Sequence, residues 1–333
     1  MKAVIINQPG SPNVLQIQDV LKPHINDSQE ILIRLRAAGV NPIDTKVRQR
    51  GTFYPQEMPA ILGCDGAGVV ETVGSGVDKF RPGDEVYFCY GGLGKRSTGN
   101  YAQYAVVDQN FVAAKPKSLS FAEAAAAPLV LITAWEALYD RGGLEPGRRV
   151  LIHGGAGGVG HVAVQLAKLK GAEVATTVGS VEKERFVRSL GADYPILYQQ
   201  RDFVQATLDW TGEEGVELAL DTVGGATFAQ TFAAIQLYGD IVTLLQPDGK
   251  TNWKPARSRN LRIGFELMLT PQLNNNFEAI QAQGQILKQC SRLFDQGRLK
   301  IHVNQTFPLE KVAKAHEAIE GGSTLGKLVL IIF

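Results

Sequence analysis

The chain has 333 residues, 44% apolar and 20% charged, with 34 basic against 33 acidic side chains and a formal charge of +1. That length favours two domains with substantial cores, and the balanced charge, without a long run of either sign, argues against nucleic acid or a membrane surface as principal partner. No apolar run approaches a bilayer span, and three isolated cysteines, Cys64, Cys89 and Cys290, argue against a disulfide framework and for a reducing, cytoplasmic compartment.

The opening Met1–Ile6 reads as a strand rather than a secretory signal. Further short strand-like runs follow at Ile31–Leu35, Val69–Val73, Glu85–Phe88 and Tyr101–Val107, with a turn at Arg81-Pro82-Gly83-Asp84. Many short strands with frequent glycine predict a small barrel-like β domain. Ser120-Phe121-Ala122-Glu123 has the form of a capping box, opening an alanine-rich helix that meets Pro128.

From residue 150 strand and helix alternate. The expected strands are Val150–Ile152, Glu173–Thr177, Val216–Leu220 and Asp240–Leu244. Helices are expected over Val159–Leu169 and through Glu184–Val187 to Gly191. Such βαβα order predicts a parallel, doubly wound α/β sheet. The tail holds helices at Asn276–Phe294 and Lys311–Glu320, then a final strand, Lys327–Ile332, expected to complete the first domain's sheet and make that domain discontinuous.

The sharpest local signal is Gly155-Ala156-Gly157-Gly158-Val159-Gly160, between the strand Val150–Ile152 and a helix. In that setting the glycines serve a dinucleotide: Gly155 for a tight turn, Gly157 for close approach of the pyrophosphate, Gly160 for helix-on-strand packing. The helix N-terminal amides then face the anion. An NAD site usually carries Asp or Glu at the end of the second strand, where this chain reads Thr176-Thr177-Val178-Gly179-Ser180. Without that carboxylate a 2′-phosphate is not repelled, and Ser180, Lys183 and Arg185 lie just beyond. NADP(H) is the expected cofactor. The alternative reading of Lys183 and Arg185 is as ordinary surface helix residues.

With these residues placed, the chain resembles the medium-chain dehydrogenase/reductase superfamily, in its zinc-free quinone oxidoreductase (zeta-crystallin-like) branch, over essentially its whole length. The resemblance rests on Ala38-Gly39-Val40-Asn41-Pro42-Ile43-Asp44, Gly63-Cys64-Asp65-Gly66-Ala67-Gly68, Arg81–Val86, Leu131–Trp135, the glycine loop with Ala163–Lys168, Leu190–Asp193 and Gly326–Val329. It implies a GroES-like catalytic domain from both chain ends, residues 1–127 and 270–333, around a Rossmann NADP-binding domain, residues 128–269, with the active site in the cleft between them. It further implies that Asn41, Asp44 and Thr133 line the nicotinamide end, and that Gly179, Ser180, Lys183 and Tyr198 surround the adenosine 2′-phosphate. Leu244 and Leu245 would approach the nicotinamide ribose and ring, and Lys327 a phosphate or ribose. Tyr54 matches a tyrosine facing the substrate, either as hydrogen-bond donor to an oxyanion or as an aromatic loop anchor.

Departures from the family's zinc enzymes carry as much weight. Asn41 stands where those have cysteine, and Cys64-Asp65 where they have His-Glu. The stretch from Cys89 to Tyr101 lacks the four-cysteine structural lobe, and none of the five histidines has ligand spacing; each is expected at the surface or in a supporting shell. No metal is expected. Without a Lewis acid, an acceptor already prone to hydride addition is favoured, a quinone or an activated α,β-unsaturated carbonyl. Two alternatives stay open. One is an enoyl-thioester reductase, for which Arg257, Arg259 and Arg262 would supply a basic pocket. The other is a non-catalytic NADPH-binding protein with a structural or RNA-binding role. The resemblance also implies a homodimer, paired through Leu261–Leu269 as an edge strand.

Overall fold

The computed structural model describes residues 1–94 and 99–333. The chain divides into two compact units, Met1–Leu129 with Leu269–Phe333, and Val130–Met268.

The first unit begins with β1 (Lys2–Ile6) and β2 (Gln16–Asp19), then the long β3 (Glu30–Val40) and α1 (Pro42–Arg50). The short β4 (Ala60–Ile61) precedes β5 (Asp65–Val73), β6 (Glu85–Cys89), β7 (Tyr104–Asp108), β8 (Val112–Ala114) and α2 (Phe121–Ala126). Ser120 caps α2 reciprocally with Glu123, as the sequence pattern requires. Helix α3 (Pro128–Trp135) leads out of this unit.

In the second unit, β9 (Arg149–Ile152), α4 (Gly158–Leu169), β10 (Glu173–Val178), α5 (Val181–Ser189), β11 (Tyr194–Leu197), α6 (Phe203–Thr211), β12 (Val216–Asp221), α7 (Gly225–Thr231), β13 (Ile235–Thr243), α8 (Lys254–Ser258) and β14 (Arg262–Phe265) follow in turn. The strands form one parallel sheet in the order β11-β10-β9-β12-β13-β14. Leu151, Ala175, Ala219 and Ile241 are buried in the sheet, because a sheet covered on both faces needs near-continuous apolar strands. This is the Rossmann-type half of the fold.

The chain then returns to the first unit with α9 (Thr270–Leu273), α10 (Phe277–Asp295), β15 (Val303–Pro308), α11 (Val312–Glu320) and β16 (Lys327–Ile331). Strand β16 pairs antiparallel with β3, Leu328 opposite Val40, so the last strand does complete the first sheet. That sheet runs β15-β16-β3-β5-β6-β8, with β7 also on β3, and a three-stranded sheet β2-β1-β4 accompanies it. It is the GroES-like half. Glycine permits close contacts inside it: a Cβ on Gly39 would lie 2.4 Å from the Ala125 carbonyl oxygen of α2.

Several elements differ from the sequence reading. Tyr101, Ala102 and Gln103 precede β7 rather than belonging to it; Tyr101 lies fully buried, with its amide on Leu62 O. Strands β2 and β15 are polar and were not expected. The edge strand β14 covers four residues rather than Leu261–Leu269. Three of the five histidines, His153, His161 and His316, are fully buried interior residues. The Cys89–Tyr101 stretch is only partly visible, since residues 95–98 lie outside the described residues.

Candidate functional site

In the second unit the glycine loop joins β9 to α4. Gly154 takes the left-handed conformation of the turn (φ 66°), so the tight turn falls one residue before Gly155. Gly155 is required for a different reason: a Cβ there would lie 2.0 Å from Thr176 Oγ1 on the neighbouring strand. At Gly160 a Cβ would lie 2.1 Å from the Gly154 carbonyl oxygen, so the close approach there is of helix to loop rather than of helix to strand. A Cβ at Gly157, the N-cap of α4, meets only Gly154 O at 3.2 Å, leaving the far side of that residue open. Ala156 is buried, and Gly158, Val159 and Gly160 form the first turn of a twelve-residue helix, whose amides have no partner within the helix. This cradle suits an anion.

At the end of β10 no carboxylate is present. Gly179 lies under the ring of Tyr198, since a Cβ on it would lie 2.7 Å from the phenol oxygen, and Tyr198 is itself exposed. Ser180 caps α5, accepting from Lys183 N at 3.2 Å, and the half-buried Lys183 has no ion pair among the described residues. The structure therefore brings Gly179, Ser180, Lys183 and Tyr198 to one corner. Leu244 and Leu245 follow β13; the Leu244 amide donates to Asp221 O and the Leu245 side chain lies against Gly224. Thr133 is buried within α3.

In the first unit the sequence-predicted residues meet in a buried polar cluster. Asn41 caps α1, and its backbone amide donates to Asp44 Oδ2 at 2.8 Å. The Asn41 side-chain amide donates to Asp65 Oδ2 at 2.9 Å, while its Oδ1 accepts from Lys327 Nζ. Lys327 also donates to Val40 O at 3.0 Å and stands 3.9 Å from Asp65 Oδ2. These contacts fix the amide orientation of Asn41 and consume the ammonium of Lys327. The expectation that Lys327 reaches a phosphate or ribose finds no support in these surroundings; only 3% of the residue is exposed.

Asp44 is fully buried and accepts from Tyr101 Oη at 3.0 Å. Burial raises its carboxyl to about 6, against the downward pull of the Asn41 amide and the Tyr101 hydroxyl. Asp65 is raised by burial and drawn down by Lys327, whose own ammonium is lowered by burial and raised by Asp65 and Asp44. Cys64 and Cys89 beside them are held as thiols, pushed well above the usual range by burial and then by the neighbouring carboxylates. Asp44 thus holds the Asn41 backbone amide and the Tyr101 hydroxyl from inside the unit. Tyr54 is half-buried at the start of a 3-10 turn, its hydroxyl without a hydrogen bond among the described residues.

The sequence reading did not foresee the layer beneath. Tyr101 meets His316 Nε2 at 3.3 Å, His316 Nδ1 meets Arg48 Nη1 at 3.5 Å, and Arg48 Nη2 pairs with Glu320 at 2.6 Å. Burial pushes His316 down to about 3, and Arg48 pushes further in the same direction, so the ring is neutral. Arg48 and His316 are 268 positions apart, a separation that leaves no local signal.

The alcohol dehydrogenase GroES-like domain model matches residues 27–117, and the zinc-binding dehydrogenase model matches residues 190–330. The chain is 29% identical over 340 residues to human (Homo sapiens) quinone oxidoreductase, covering all of this chain and 98% of the relative. It is 33% identical over 342 residues to the 2-methylene-furan-3-one reductase of Solanum lycopersicum, covering 99% and 79% respectively. Among solved structures, the Escherichia coli quinone oxidoreductase complexed with NADPH superposes with a TM-score of 0.87 at 28% identity, over 99% of this chain and 100% of that one. The chain belongs to the medium-chain dehydrogenase/reductase superfamily, in its quinone-oxidoreductase-like branch, and is an oxidoreductase of that family.

Proposed function

We propose that the protein reduces quinones or activated α,β-unsaturated carbonyls with NADPH, without zinc. The observation that carries this reading is the pairing of two features: an anion cradle whose corner offers Ser180, Lys183 and Tyr198 without a carboxylate, and a catalytic unit that places an ammonium against Asn41 and Asp65. Similar proteins bearing the names quinone oxidoreductase and 2-methylene-furan-3-one reductase support the acceptor class.

The glycine loop and the first turn of α4 would hold the pyrophosphate. Lys183, Ser180 and the Tyr198 hydroxyl would hold the 2′-phosphate, as a cation and two hydroxyl donors. The bound cofactor supplies a hydride from nicotinamide C4. Asn41 is held in one orientation, its side chain by Asp65 and Lys327 and its backbone amide by Asp44. Tyr54 donates a hydrogen bond to the oxygen on which charge develops after hydride addition.

Zinc does not suit this donor set. The first position is a neutral amide that already accepts from Lys327, and the ammonium of that lysine sits against Asp65. An acceptor that needs no Lewis acid follows from that chemistry. Of the basic pocket an enoyl-thioester carrier would need, Arg262 is committed to both oxygens of Asp240, at 2.6 and 2.7 Å, and Arg259 donates to Ile235 O. Two of the three arginines of that pocket are thus engaged within the unit, which weakens the alternative.

The test is an acceptor panel of quinones, enones, aldehydes and enoyl-thioesters, read as NADPH and NADH oxidation with and without chelator. The expected result is turnover with quinones or enones, preference for NADPH, and activity indifferent to chelator. Lys183→Ala should narrow the NADPH–NADH gap by about tenfold, the scale of one charge-assisted hydrogen bond to phosphate. Equal use of both cofactors by the native chain, or activity lost with stoichiometric zinc, would refute the reading.

The same proposal includes a homodimer formed through β14, which ends the parallel sheet. Glu266 N donates to Thr243 O, so by alternation the amides of Ile263 and Phe265 point away from β13. Phe265 and Leu267 beside them are more than half exposed. A twofold partner satisfies such an edge with the same residues on each side. Light scattering at micromolar concentration should give twice the chain mass, and Ile263→Pro should shift it toward monomer. A native monomer at that concentration would end the proposal.

A further inference from the structure

We propose that His153, through a tautomer fixed from the far side of its ring by Thr231, positions the dinucleotide loop and so sets cofactor affinity. This rests on the reading of the second unit as the NADPH-binding one. His153 follows the last residue of β9 and immediately precedes Gly154, the left-handed turn of the loop. Its side chain is fully buried. Nδ1 lies 3.1 Å from Thr177 Oγ1 and Nε2 lies 2.9 Å from Thr231 Oγ1, while Phe203 holds the ring edge-on at 4.8 Å between centroids.

The hydrogens can be assigned by elimination. Thr231 spends its hydroxyl proton on the Thr227 carbonyl oxygen at 2.6 Å, so toward His153 it can only accept, and Nε2 carries the proton. Burial pushes the imidazole down to about 4, against a weaker upward pull from Asp221, so the ring is neutral and Nδ1 is an acceptor. Thr177 therefore donates its proton to Nδ1, which turns a lone pair of Oγ1 toward the Gly154 amide at 3.1 Å. The chain of donors runs one way on each side of the ring: Gly154 N–H to Thr177, Thr177 O–H to His153, His153 Nε2–H to Thr231, Thr231 O–H to Thr227.

The remaining contacts of the turn act on the same residues. Thr222 donates to His153 O at 2.8 Å, and the Gly155 amide donates to Thr177 O at 3.2 Å. Thr177 thus holds Gly154 through its side chain and Gly155 through its backbone, and the imidazole fixes which way that side chain faces. If the ring adopted the other neutral tautomer, Nδ1–H and the Gly154 amide would both donate to Thr177 Oγ1, taking both of its lone pairs. The threonine proton would then lose its acceptor, and the loop would lose a restraint that otherwise exists before the cofactor arrives.

Thr231 lies at the end of α7 and belongs to none of the cofactor-contacting positions proposed above, which makes it the test. Thr231→Val keeps the shape and removes the acceptor for Nε2–H; Thr231→Ser keeps the acceptor. Nitrogen NMR of the native protein with labelled histidine should show the Nε2–H tautomer at neutral pH. Titration calorimetry below the melting range should show NADPH bound about fivefold more weakly by Thr231→Val, the scale of one buried hydrogen bond, and nearly normally by Thr231→Ser. The KM for the acceptor should stay unchanged. A native Nδ1–H tautomer overturns the proposal, as does native-like NADPH affinity in Thr231→Val. If Thr231→Val does not fold, the native tautomer and the Thr231→Ser affinity decide. A native chain that binds no NADPH overturns the functional reading, and this role with it; tight native binding with an unaffected variant overturns the positioning role alone.

Discussion

Lys327→Met is expected to be among the most destabilising single substitutions in the first unit, costing about 3–5 kcal/mol at pH 8, the usual cost of removing one partner from a buried charge pair. Methionine matches the lysine stem in length, so the loss is electrostatic rather than a cavity. Asp65, fully buried, would keep the Asn41 side-chain amide and the Leu129 backbone amide but lose its cation. Asn41 Oδ1 would lose its donor. The pH dependence distinguishes this cause from poor packing. Asp44 and Asp65 both have folded-state values above the ordinary carboxylate range, Asp44 at about 6. A carboxyl raised by folding contributes stability present below its unfolded value and lost as pH rises through its folded value. Removing the ammonium raises both further. The difference in melting temperature between native chain and variant should therefore be largest near pH 8 and shrink toward pH 5, as the two carboxyls take up protons. A difference independent of pH between 5 and 8 would mean that Lys327 acts through packing alone.

The two halves of the molecule were not equally legible in the sequence. In the second unit the signals are local: apolar strands every 20 to 30 residues, caps at Ser180 and Asp202, and a glycine loop between a strand and a helix. There the expected strands Val150–Ile152, Glu173–Thr177 and Val216–Leu220 are present within a residue of their bounds, while β13 begins five residues before the expected Asp240 and α5 three before Glu184. In the first unit the chemistry depends on meetings between distant residues. Lys327 reaches Asn41 across 286 positions, and nothing around Lys327 in the sequence separates an interior ammonium from one that would reach a phosphate. Tyr101 looked like the start of a strand because its neighbours alternate; the structure uses it as a buried donor to Asp44. Strand β15, Val-Asn-Gln-Thr-Phe-Pro, carries little apolar signal because it lies at a sheet edge, with one neighbour only. In the glycine motif Gly154 and not Gly155 takes the positive φ that the turn needs. Sequence spacing shows that a glycine is required without showing whether the turn, a neighbouring strand or the ligand requires it.

That distinction leads to the second large effect. Gly160→Ala and Gly157→Ala should both weaken NADPH binding, for different reasons that stability measurements can separate. At Gly160 the new Cβ would lie 2.1 Å from the Gly154 carbonyl oxygen and 2.7 Å from the Gly155 α-carbon, both backbone atoms that no rotamer change can move. Helix α4 would have to shift away from the loop, at an overpacking cost of about 1–3 kcal/mol in the folded protein. Because the displaced amides of Gly158, Val159 and Gly160 are those that would face the pyrophosphate, affinity should fall by about a hundredfold, the equivalent of nearly 3 kcal/mol of binding free energy. At Gly157 the backbone is extended (φ −78°, ψ −177°), a conformation alanine adopts freely, and its Cβ meets only Gly154 O at 3.2 Å. Gly157→Ala should therefore cost less stability than Gly160→Ala, a few degrees at most from the poorer N-cap and the 3.2 Å contact, while still losing affinity, because the methyl group would occupy the side from which the phosphate approaches. Calorimetric melting and NADPH titration of the two variants give the full comparison. If Gly157→Ala retained native affinity, the pyrophosphate would not lie against that residue and the placement of the cofactor on this loop would fail; if Gly160→Ala retained native stability, the helix and loop would have a freedom that their present contact denies.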